Sequence, residues 1–359
     1  MTKNSEDIAP IAWTSVDDKD KHLQLCLEKD VASSQTSGFE KFYLLNDPLP
    51  GIDFGDVDLS CELLGKKISA PFMILPMTGG TKLSAKINKN LAVAAQELGL
   101  AMAVGSQRLG IEDPSLAVSY QVREVAPDIP LFANLGAIYL NHGYGLEECE
   151  RAVEMIGADG LTLYLNPMQK IFQGNRNLNF KGLMNKIAHI CQHLSVPVIV
   201  KEVGFGLSRK TALLLKAAGV KILDVAGAGG TSWVKISRYL KQDLLDGDAS
   251  AFDNWGIPTS AALISSRDAV KEVRIIASGG IRSGTDVAKA LALGADYVGM
   301  ALPLLAPAME SSEAVVKRIE KTLDELKIAM FGCGAATVQG FRQGKFIRSK
   351  CSSTCHRDF

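Results

Sequence analysis

The stretch RIIASGGIRSGTDVAKALALGADYVGMALP, residues 274–303, decides the fold. It opens with a short apolar run that ends in paired glycines, and it closes with a second apolar run. Continuous apolar runs suit parallel strands that are covered on both faces. Between them, apolar residues recur at a spacing of three and four before a Gly, which indicates a helix. The stretch is therefore a strand–helix–strand unit.

Similar units recur along the whole chain. Their apolar runs are FMILPM (72–77), MAVGS (102–106), LFANLG (131–136), GLTLYLN (160–166), VPVIVKEV (196–203), KILDVAG (221–227), RIIASGG (274–280) and YVGMALP (297–303). Eight β-then-α units predict an α/β fold, a (β/α)₈ TIM barrel. A doubly wound open sheet is the alternative.

Three regions are expected. Residues 1–65 form an N-terminal extension that caps the barrel, and DFGDVDLSCELLGKKISAP (53–71) is predicted to be a hairpin. Residues 66–335 form the barrel and include the helix SSEAVVKRIEKTLDELKIAMF, and residues 336–359 form a basic tail. The longest insertion, 228–273, follows the sixth strand, and no repeat beyond the βα unit is visible.

Composition narrows the functional classes. The 39 basic and 39 acidic residues give a net charge of zero, so nothing global attracts nucleic acid or an anionic membrane. The chain lacks a run of 18 apolar residues, and its polar start MTKNSEDIAP is unlike a signal peptide. We expect a cytoplasmic protein without a membrane span.

The seven cysteines are scattered, mostly within apolar stretches. Buried, reduced thiols are expected. The tail CSSTCHRDF brings Cys351, Cys355 and His356 close together, and a metal site there is the alternative.

The ends of the predicted strands are rich in Gly, Ser, Thr and amides. In this fold the active site lies at the carboxyl ends of the strands. These ends read MTGG, GSQR, NLGA, YLNPMQK, KEVGFG, AGAGGTSW, SGGIRSG and GMALP. Their polar side chains predict a ligand site at this mouth of the barrel.

The seventh end is the easiest to interpret. Gly279 and Gly280 let the backbone approach an anion, Arg282 adds charge, and Ser283 can cap the next helix. Strands seven and eight form the usual phosphate site of such barrels. A tight turn with a structural arginine is the alternative.

Lys201 and Glu202 end a very apolar run. A lysine at the mouth is expected to meet the electron-rich ring or the phosphate of a cofactor, and a surface salt bridge is the alternative. Thr231 adds a hydroxyl in the Gly-rich GAGGTSW.

These residues give the chain a resemblance to the type 2, FMN-dependent isopentenyl diphosphate isomerases. The matching stretches include GFEKFYLLNDPLP, ISAPFMILPMTGG, GSQR, NLGA, LNPMQ, PVIVKEVGFGLS, DVAGAGGTSW, WGIPT and SGGIRSGTDVAKALALGAD. They run from about residue 20 to about residue 335. The resemblance implies a barrel with reduced FMN at its mouth, NADPH or another reductant as activator, an isoprenoid substrate and a homo-oligomer.

The resemblance also implies roles for individual residues. The residues that would bind FMN are Met77, Thr78, Gly79, Ser106, Asn134, Lys201, Thr231, Gly279, Gly280, Arg282, Ala301 and Leu302. Those that would bind the substrate are Lys19, His22, Arg108, Tyr164, Asn166, Lys170 and Ser208. Gln169 would be the acid–base partner beside the substrate.

The departures from the family pattern cluster at the substrate end. Tyr164 stands in place of a His, and Lys170 in place of the Glu that carries magnesium. Asp18 replaces an Arg, Ser237 replaces a Glu, and QGNRN (173–177) replaces an acidic stretch. A lysine cannot bind Mg²⁺, so magnesium is not expected at residue 170.

Three functions follow from this pattern. The chain is an isopentenyl diphosphate isomerase, an FMN enzyme that acts on another isoprenoid or polyene, or an inactive FMN-binding homologue with a regulatory or scaffold role.

Overall fold

Eight parallel strands form a closed barrel in the computed structural model, which describes residues 15–174, 178–240 and 249–350. The strands are β1 (Phe72–Ile74), β2 (Ala101–Ala103), β3 (Leu131–Gly136), β4 (Gly160–Tyr164), β5 (Val198–Lys201), β6 (Ile222–Asp224), β7 (Arg274–Ala277) and β8 (Tyr297–Met300). The barrel closes where Val298 of β8 pairs with Phe72 of β1. This closure confirms the predicted fold and excludes an open sheet.

Helices follow the strands and surround the barrel. They are α1 (Val16–Glu28), α2 (Lys82–Leu98), α3 (Arg108–Glu112), α4 (Leu146–Ile156), α5 (Pro167–Phe172), α6 (Leu183–His193), α7 (Arg209–Ala217), α8 (Trp233–Tyr239), α9 (Thr259–Ala269), α10 (Gly284–Ala292), α11 (Leu302–Glu310), α12 (Ser312–Gly332) and α13 (Val338–Gln343). Side chains cap several of them: Thr81 accepts from the N–H of Ser84 at the start of α2. Most strands end before their apolar runs do, which leaves the last residues of those runs to line the mouth.

The hairpin predicted before the barrel is present. Cys61–Leu63 pairs with Lys66–Ile68 in antiparallel register. Leu63 and Ile68 are buried against side chains of the barrel interior, among them Met73. The hairpin therefore closes the end of the barrel opposite the predicted site.

The last described residues of the chain pack against its first part. Ile347–Ser349 pairs with Phe42–Leu44 in a two-stranded antiparallel sheet. Phe341 of α13 is fully buried, and Val338 is also in the core. Residues 336–350 thus belong to the packed body of the protein. The predicted metal ligands of the tail, Cys351, Cys355 and His356, lie outside the described residues.

The two halves of the barrel contain the same arrangement of an arginine and an aspartate, a repeat that was not predicted. In the first half, the Asp159 carboxylate accepts from Arg123 and from the Leu131 N–H that begins β3, both at 2.9 Å. In the second half, the Asp296 carboxylate accepts from Arg267 and from an N–H of β7 at 2.8 Å. We call these pairs the two arginine clamps. Their short common sequence, Gly-Ala-Asp, was too small a signal to detect.

None of the described helices combines the length and the apolar character needed to cross a membrane. The five cysteines among the described residues are free thiols. Cys149 and Cys333 are buried and the other three are half-buried. Burial raises the pKa of Cys149 to about 12, so this thiol stays protonated and unreactive at neutral pH.

Replacing Asp296 should destabilise the fold without altering the mouth of the barrel. Asp296 is 4% exposed and pairs with Arg267, Arg274 and Arg342. Asp296→Asn removes the buried negative charge that three partly exposed guanidinium groups share, so the free energy of unfolding should fall by about 1.5–3 kcal/mol. Urea denaturation followed by circular dichroism measures it.

The matched control is Asp268→Asn. Asp268 pairs with Arg209 on the surface, where both side chains are more than half exposed. Loss of this ion pair should lower the free energy of unfolding by less than about 1 kcal/mol. Equal effects of the two substitutions would contradict the importance of the clamp.

Candidate active site

One cavity of about 240 Å³ opens where the carboxyl ends of the strands meet. Most of the predicted site residues line it: Lys19, His22, Met77, Thr78, Ser106, Asn134, Tyr164, Asn166, Gln169, Lys170, Lys201, Thr231, Gly279, Gly280, Arg282, Ala301 and Leu302. The fold therefore brings the polar strand ends together with two residues of α1.

Three predicted residues do not line the cavity. Gly79 packs beneath Tyr120, and a Cβ there would lie 1.8 Å from the ring. Ser208 caps α7 by accepting from the N–H of Thr211 at 3.2 Å. Arg108 is buried behind the wall, where its guanidinium lies 6.0 Å from the centre of the Tyr139 ring.

A backbone cradle forms where the loops after β6 and β7 touch. Gly279 and Gly280 have φ angles of +98° and +78°, and a Cβ on Gly279 would lie 2.1 Å from the carbonyl oxygen of Gly227. Glycine is required here because the conformation is left-handed and the loops are in backbone contact. Ala301, which follows the neighbouring strand β8 and precedes α11, also lines the cavity. Because the first turn of a helix has N–H groups without intrahelical partners, this end favours an anion.

Lys201 carries its charge beside a buried carboxylate. Its Nζ donates to the carbonyl oxygen of Glu202 at 2.5 Å and lies 3.7 Å from Asp224. Asp224 also accepts from Ser278 at 2.6 Å. The predicted alternative, a surface pair of Lys201 with Glu202, is wrong. The Glu202 carboxylate instead accepts from the three N–H groups of residues 203–205, at 2.5–2.8 Å.

Asn134 presents a buried acceptor. Its backbone is fixed by Gln107, which exchanges two hydrogen bonds of 2.9 Å with it. Its side-chain oxygen is buried and accepts from no atom among the described residues. A buried acceptor without a partner is costly, so this position suits a ligand that brings an N–H donor.

The segment after β4 supplies two coupled amides and a cation. The Asn166 amide donates to Gln169 Oε1 at 2.8 Å, which fixes the orientation of Gln169. Tyr164 donates to the Ser106 hydroxyl at 3.2 Å. Lys170 follows on α5 and is only 2% exposed.

Positive charge gathers at this end of the cavity. Burial, together with the charges of Arg108 and Lys19, lowers the pKa of Lys170 to about 7. Burial and Arg108 lower the pKa of Lys19 to about 8. Burial, with Lys19, lowers the pKa of His22 to about 4, so this imidazole is neutral. Such mutual destabilisation of cations favours an anionic ligand.

Two of the departures from the family pattern lie outside the cavity. Asp18 closes the start of α1, where its carboxylate accepts from the N–H of Ser15 at 2.9 Å. Ser237 donates back to the carbonyl oxygen of Trp233 at 2.8 Å. Neither side chain puts its charge or hydroxyl into the mouth.

Sequence reasoning missed Trp233, Asp224 and Ser278. Trp233 lines the cavity, donates to the carbonyl oxygen of Val203 at 3.0 Å and meets His22 edge to face at 5.6 Å. Asp224 stood out as an acid in an apolar run, which could have marked it as the partner of Lys201. Across the three described ranges, no cluster of His, Cys, Asp and Glu side chains is arranged to hold a metal.

Relatives with known names are similar over nearly the full chain. An isopentenyl-diphosphate delta-isomerase of Synechocystis sp. is 47% identical over 327 residues, 90% of this chain and 94% of the relative. That of Oceanobacillus iheyensis is 44% identical and covers 89% of this chain and 93% of the relative. The model of the FMN-dependent dehydrogenase family matches residues 26–113 and 164–348. The chain belongs to the FMN-dependent isopentenyl-diphosphate isomerase family.

Solved structures support the fold of this isomerase family member. A mandelate oxidase variant with the monooxide FMN adduct has a TM-score of 0.64 and 19% identity, and the match covers 93% of this chain and 92% of the other. A variant with (S)-mandelic acid has a TM-score of 0.65 and covers 95% and 99%. At this identity the likeness establishes the barrel fold.

The cavity fits FMN. The unpartnered oxygen of Asn134 suits the N–H of a flavin ring, and the Lys201 cation suits its electron-rich edge. The cradle of Gly279 and Gly280, with the start of α11 after the neighbouring strand, suits a phosphate. The donors and acceptors in the cavity thus match the ring and the phosphate of this cofactor.

Lys170→Met should stabilise the ligand-free protein. The folded state lowers the pKa of Lys170 to about 7, below its value of about 10.4 in the unfolded chain. The amine therefore opposes folding most strongly below pH 7, and this cost disappears as the pH rises towards 10. The melting temperature should rise by a few degrees at pH 6 and change little near pH 10. A uniform or opposite change across this pH range would contradict the burial of the amine.

Proposed function

We propose that the protein is an FMN-dependent isomerase that interconverts isopentenyl diphosphate and dimethylallyl diphosphate. The reaction is redox-neutral, and NADPH or another reductant keeps the flavin reduced. A homo-oligomeric state and a cytoplasmic location remain predictions. The observation that carries the proposal is a single cavity with an FMN-compatible wall and a separate cationic end.

The FMN-binding residues are assigned by position along the wall. Met77, Thr78, Ser106, Asn134, Lys201 and Thr231 would surround the ring and the ribityl chain, and Gly279, Gly280, Arg282, Ala301 and Leu302 would hold the phosphate. Gly79 would act indirectly, through the packing of Tyr120. When bound, reduced FMN would supply a nitrogen that can exchange a proton with the substrate.

The substrate residues act by binding and orientation. Lys19, His22 and Lys170 bring donors to the diphosphate, and the lysines also bring charge. Arg108 contributes its charge from behind the wall. Asn166 holds Gln169 in one orientation, so Gln169 can hold the substrate beside the flavin. An amide is a poor acid or base by itself, so Gln169 assists proton transfer by positioning.

A second candidate is an FMN enzyme for another isoprenoid or polyene. It is favoured by Tyr164 and Lys170, two departures that line the cavity. Two observations favour the diphosphate instead. Asp18 caps the start of α1 and does not line the cavity, and the cations Arg108 and Lys19 act on Lys170 at the cavity wall.

The decisive experiment is turnover of isopentenyl diphosphate by the reduced, FMN-loaded protein. We expect dimethylallyl diphosphate to form, as measured by NMR. NADPH should be consumed only to reduce the flavin, as measured by absorbance. Consumption of one NADPH per product would refute redox neutrality. If isopentenyl diphosphate is not turned over, the protein is either an FMN enzyme for another substrate or an inactive homologue.

Gln169→Ala should separate catalysis from cofactor binding. Because the side chain is placed at the substrate and not at the flavin phosphate, kcat should fall by about 10²-fold or more. The dissociation constant for FMN, measured by fluorescence quenching, should change by less than about threefold. Unchanged turnover would remove Gln169 from the mechanism.

Arg282→Ala should weaken FMN binding. Arg282 lines the cavity beside the glycine cradle. A charge-assisted hydrogen bond to phosphate is worth about 1.5–3 kcal/mol, so the dissociation constant should rise by about 10- to 100-fold. Riboflavin, which lacks the phosphate, is the control ligand, and its binding should be unaffected. An equal loss for both ligands would contradict a phosphate contact.

Turnover should survive EDTA. A lysine at residue 170 presents a charge of +1, similar to a carboxylate with a bound Mg²⁺, so the diphosphate can be neutralised without metal. The rate should change by less than about twofold when EDTA replaces magnesium, and Lys170→Glu should weaken substrate binding or create a magnesium requirement. This role would be refuted if turnover by the unchanged protein depended strongly on magnesium and if Lys170→Ala had the same turnover as the unchanged protein.

A further inference from the structure

Asp224 is a buried carboxylate that lies below the wall of the active cavity. It ends β6, is 1% exposed and does not itself line the cavity. Its two side-chain neighbours, Lys201 and Ser278, do line it. Among the described residues that line the cavity, none is an Asp or a Glu. Asp224 is therefore placed to bring negative charge to the mouth through other side chains.

The contacts of Asp224 favour its ionised form. Oδ1 accepts from the Ser278 hydroxyl at 2.6 Å and from the Ala226 N–H at 3.1 Å. Oδ2 accepts no hydrogen bond from the described residues and lies 3.7 Å from Lys201 Nζ. Burial raises the pKa of this carboxyl, and Lys201 and Ser278 oppose the rise. Two donors on one oxygen and a cation beside the other stabilise the carboxylate and not the acid.

The barrel itself builds this ion pair. Lys201 ends β5, and its Cα is paired with that of Asp224 on β6. Because side chains alternate between the two faces of a strand, residues at paired positions of neighbouring strands lie on the same face. Ile199 and Ile222, two residues earlier on the same strands, are buried in the barrel interior. The register therefore directs both charged side chains inwards, at the top of the interior.

The surroundings of the pair are mainly apolar. Lys201 and Asp224 line a small interior space of about 10 Å³ together with Met73, Ile199 and Ile276. Charges in such surroundings are screened much less than charges in water. The Asp224 carboxylate therefore acts strongly on Lys201 and also on a ligand that contacts Lys201.

We propose that Asp224 is a positioning residue that tunes the redox potential of bound FMN through Lys201. Reduction adds electron density to the flavin ring, and the charge beside the ring decides how strongly the protein favours the reduced form. Lys201 alone would give this wall a charge of +1, whereas the Lys201–Asp224 pair is close to neutral. The carboxylate thus holds the ammonium in place and moderates its attraction for electrons. This inference rests on the FMN binding of the proposed function and not on its substrate.

The test is the midpoint potential of FMN bound to the full chain, measured by absorbance against a reference dye during anaerobic reduction. Asp224→Asn is the principal variant, because the amide keeps the shape of the side chain and can still accept from Ser278, but has no charge. We expect the ratio of the affinities for reduced and oxidised FMN to rise by about tenfold or more. Tenfold corresponds to a rise of about 30 mV for a two-electron couple.

The same substitution in a Lys201→Met background tests whether Asp224 acts through Lys201. Without the ammonium, the buried carboxyl loses the cation that keeps it ionised. Asp224→Asn should then change the affinity ratio by less than about threefold, because the effects of coupled residues are not additive. Lys201→Met alone should lower the potential, since it removes the positive charge from the wall.

Asp296→Asn is the matched control. Asp296 is also a buried carboxylate, but it precedes β8 and so lies at the opposite end of the barrel. Its replacement should lower the stability of the fold and leave the midpoint potential unchanged. If Asp224→Asn does not fold, Ser278→Ala removes one donor to the carboxylate and should raise the affinity ratio by a smaller factor, about threefold.

The outcomes distinguish this inference from the proposed function. Equal potentials of the unchanged protein and Asp224→Asn, or of Ser278→Ala in its place, would overturn the inference, although isomerase activity could stand. An equal shift with and without Lys201 would also overturn it. A shift that depends on Lys201, without turnover of isopentenyl diphosphate, would support the inference and refute the isomerase. Failure of the unchanged protein to bind FMN would overturn both.

Discussion

The pairing of β8 with β1 is the constraint on which the remaining structure depends. When Val298 pairs with Phe72, the sheet has no free edge, and all eight carboxyl ends point to one mouth. The interior is filled by apolar side chains and closed below by the hairpin of residues 61–68. Polar strand ends can therefore meet only at the open mouth.

The buried lysines at the mouth have different charged neighbours. Lys201 is balanced by Asp224 inside the protein, which suits a permanent wall beside a cofactor. The cation Arg108 acts on both Lys170 and Lys19, which favours an anionic ligand at this end of the cavity. Tyr164 and Lys170, two departures from the family pattern, both line this cavity.

Local pattern was sufficient to predict the barrel and most of the site. Each strand is a short apolar run, and each polar end follows it directly, so the fold itself places Asn134, Lys201 and Gly279 together. The sequence could not show that Gly79 and Ser208 lie outside the cavity, because their contacts depend on neighbours: the ring of Tyr120 and the first turn of α7. The surroundings of Lys170 also could not be predicted, since α1 reaches the mouth from far away in the sequence.

The two arginine clamps have a consequence for the order of folding. Arg123 and Asp159 are 36 residues apart, and Arg267 and Asp296 are 29 apart, whereas β8 and β1 come from distant parts of the chain. Contacts of low sequence separation lose less chain entropy when they form. We expect each half-barrel to gain its clamp before the seam between β8 and β1 closes. The mouth needs both halves, so the cofactor would recognise only the chain that has completed this last step.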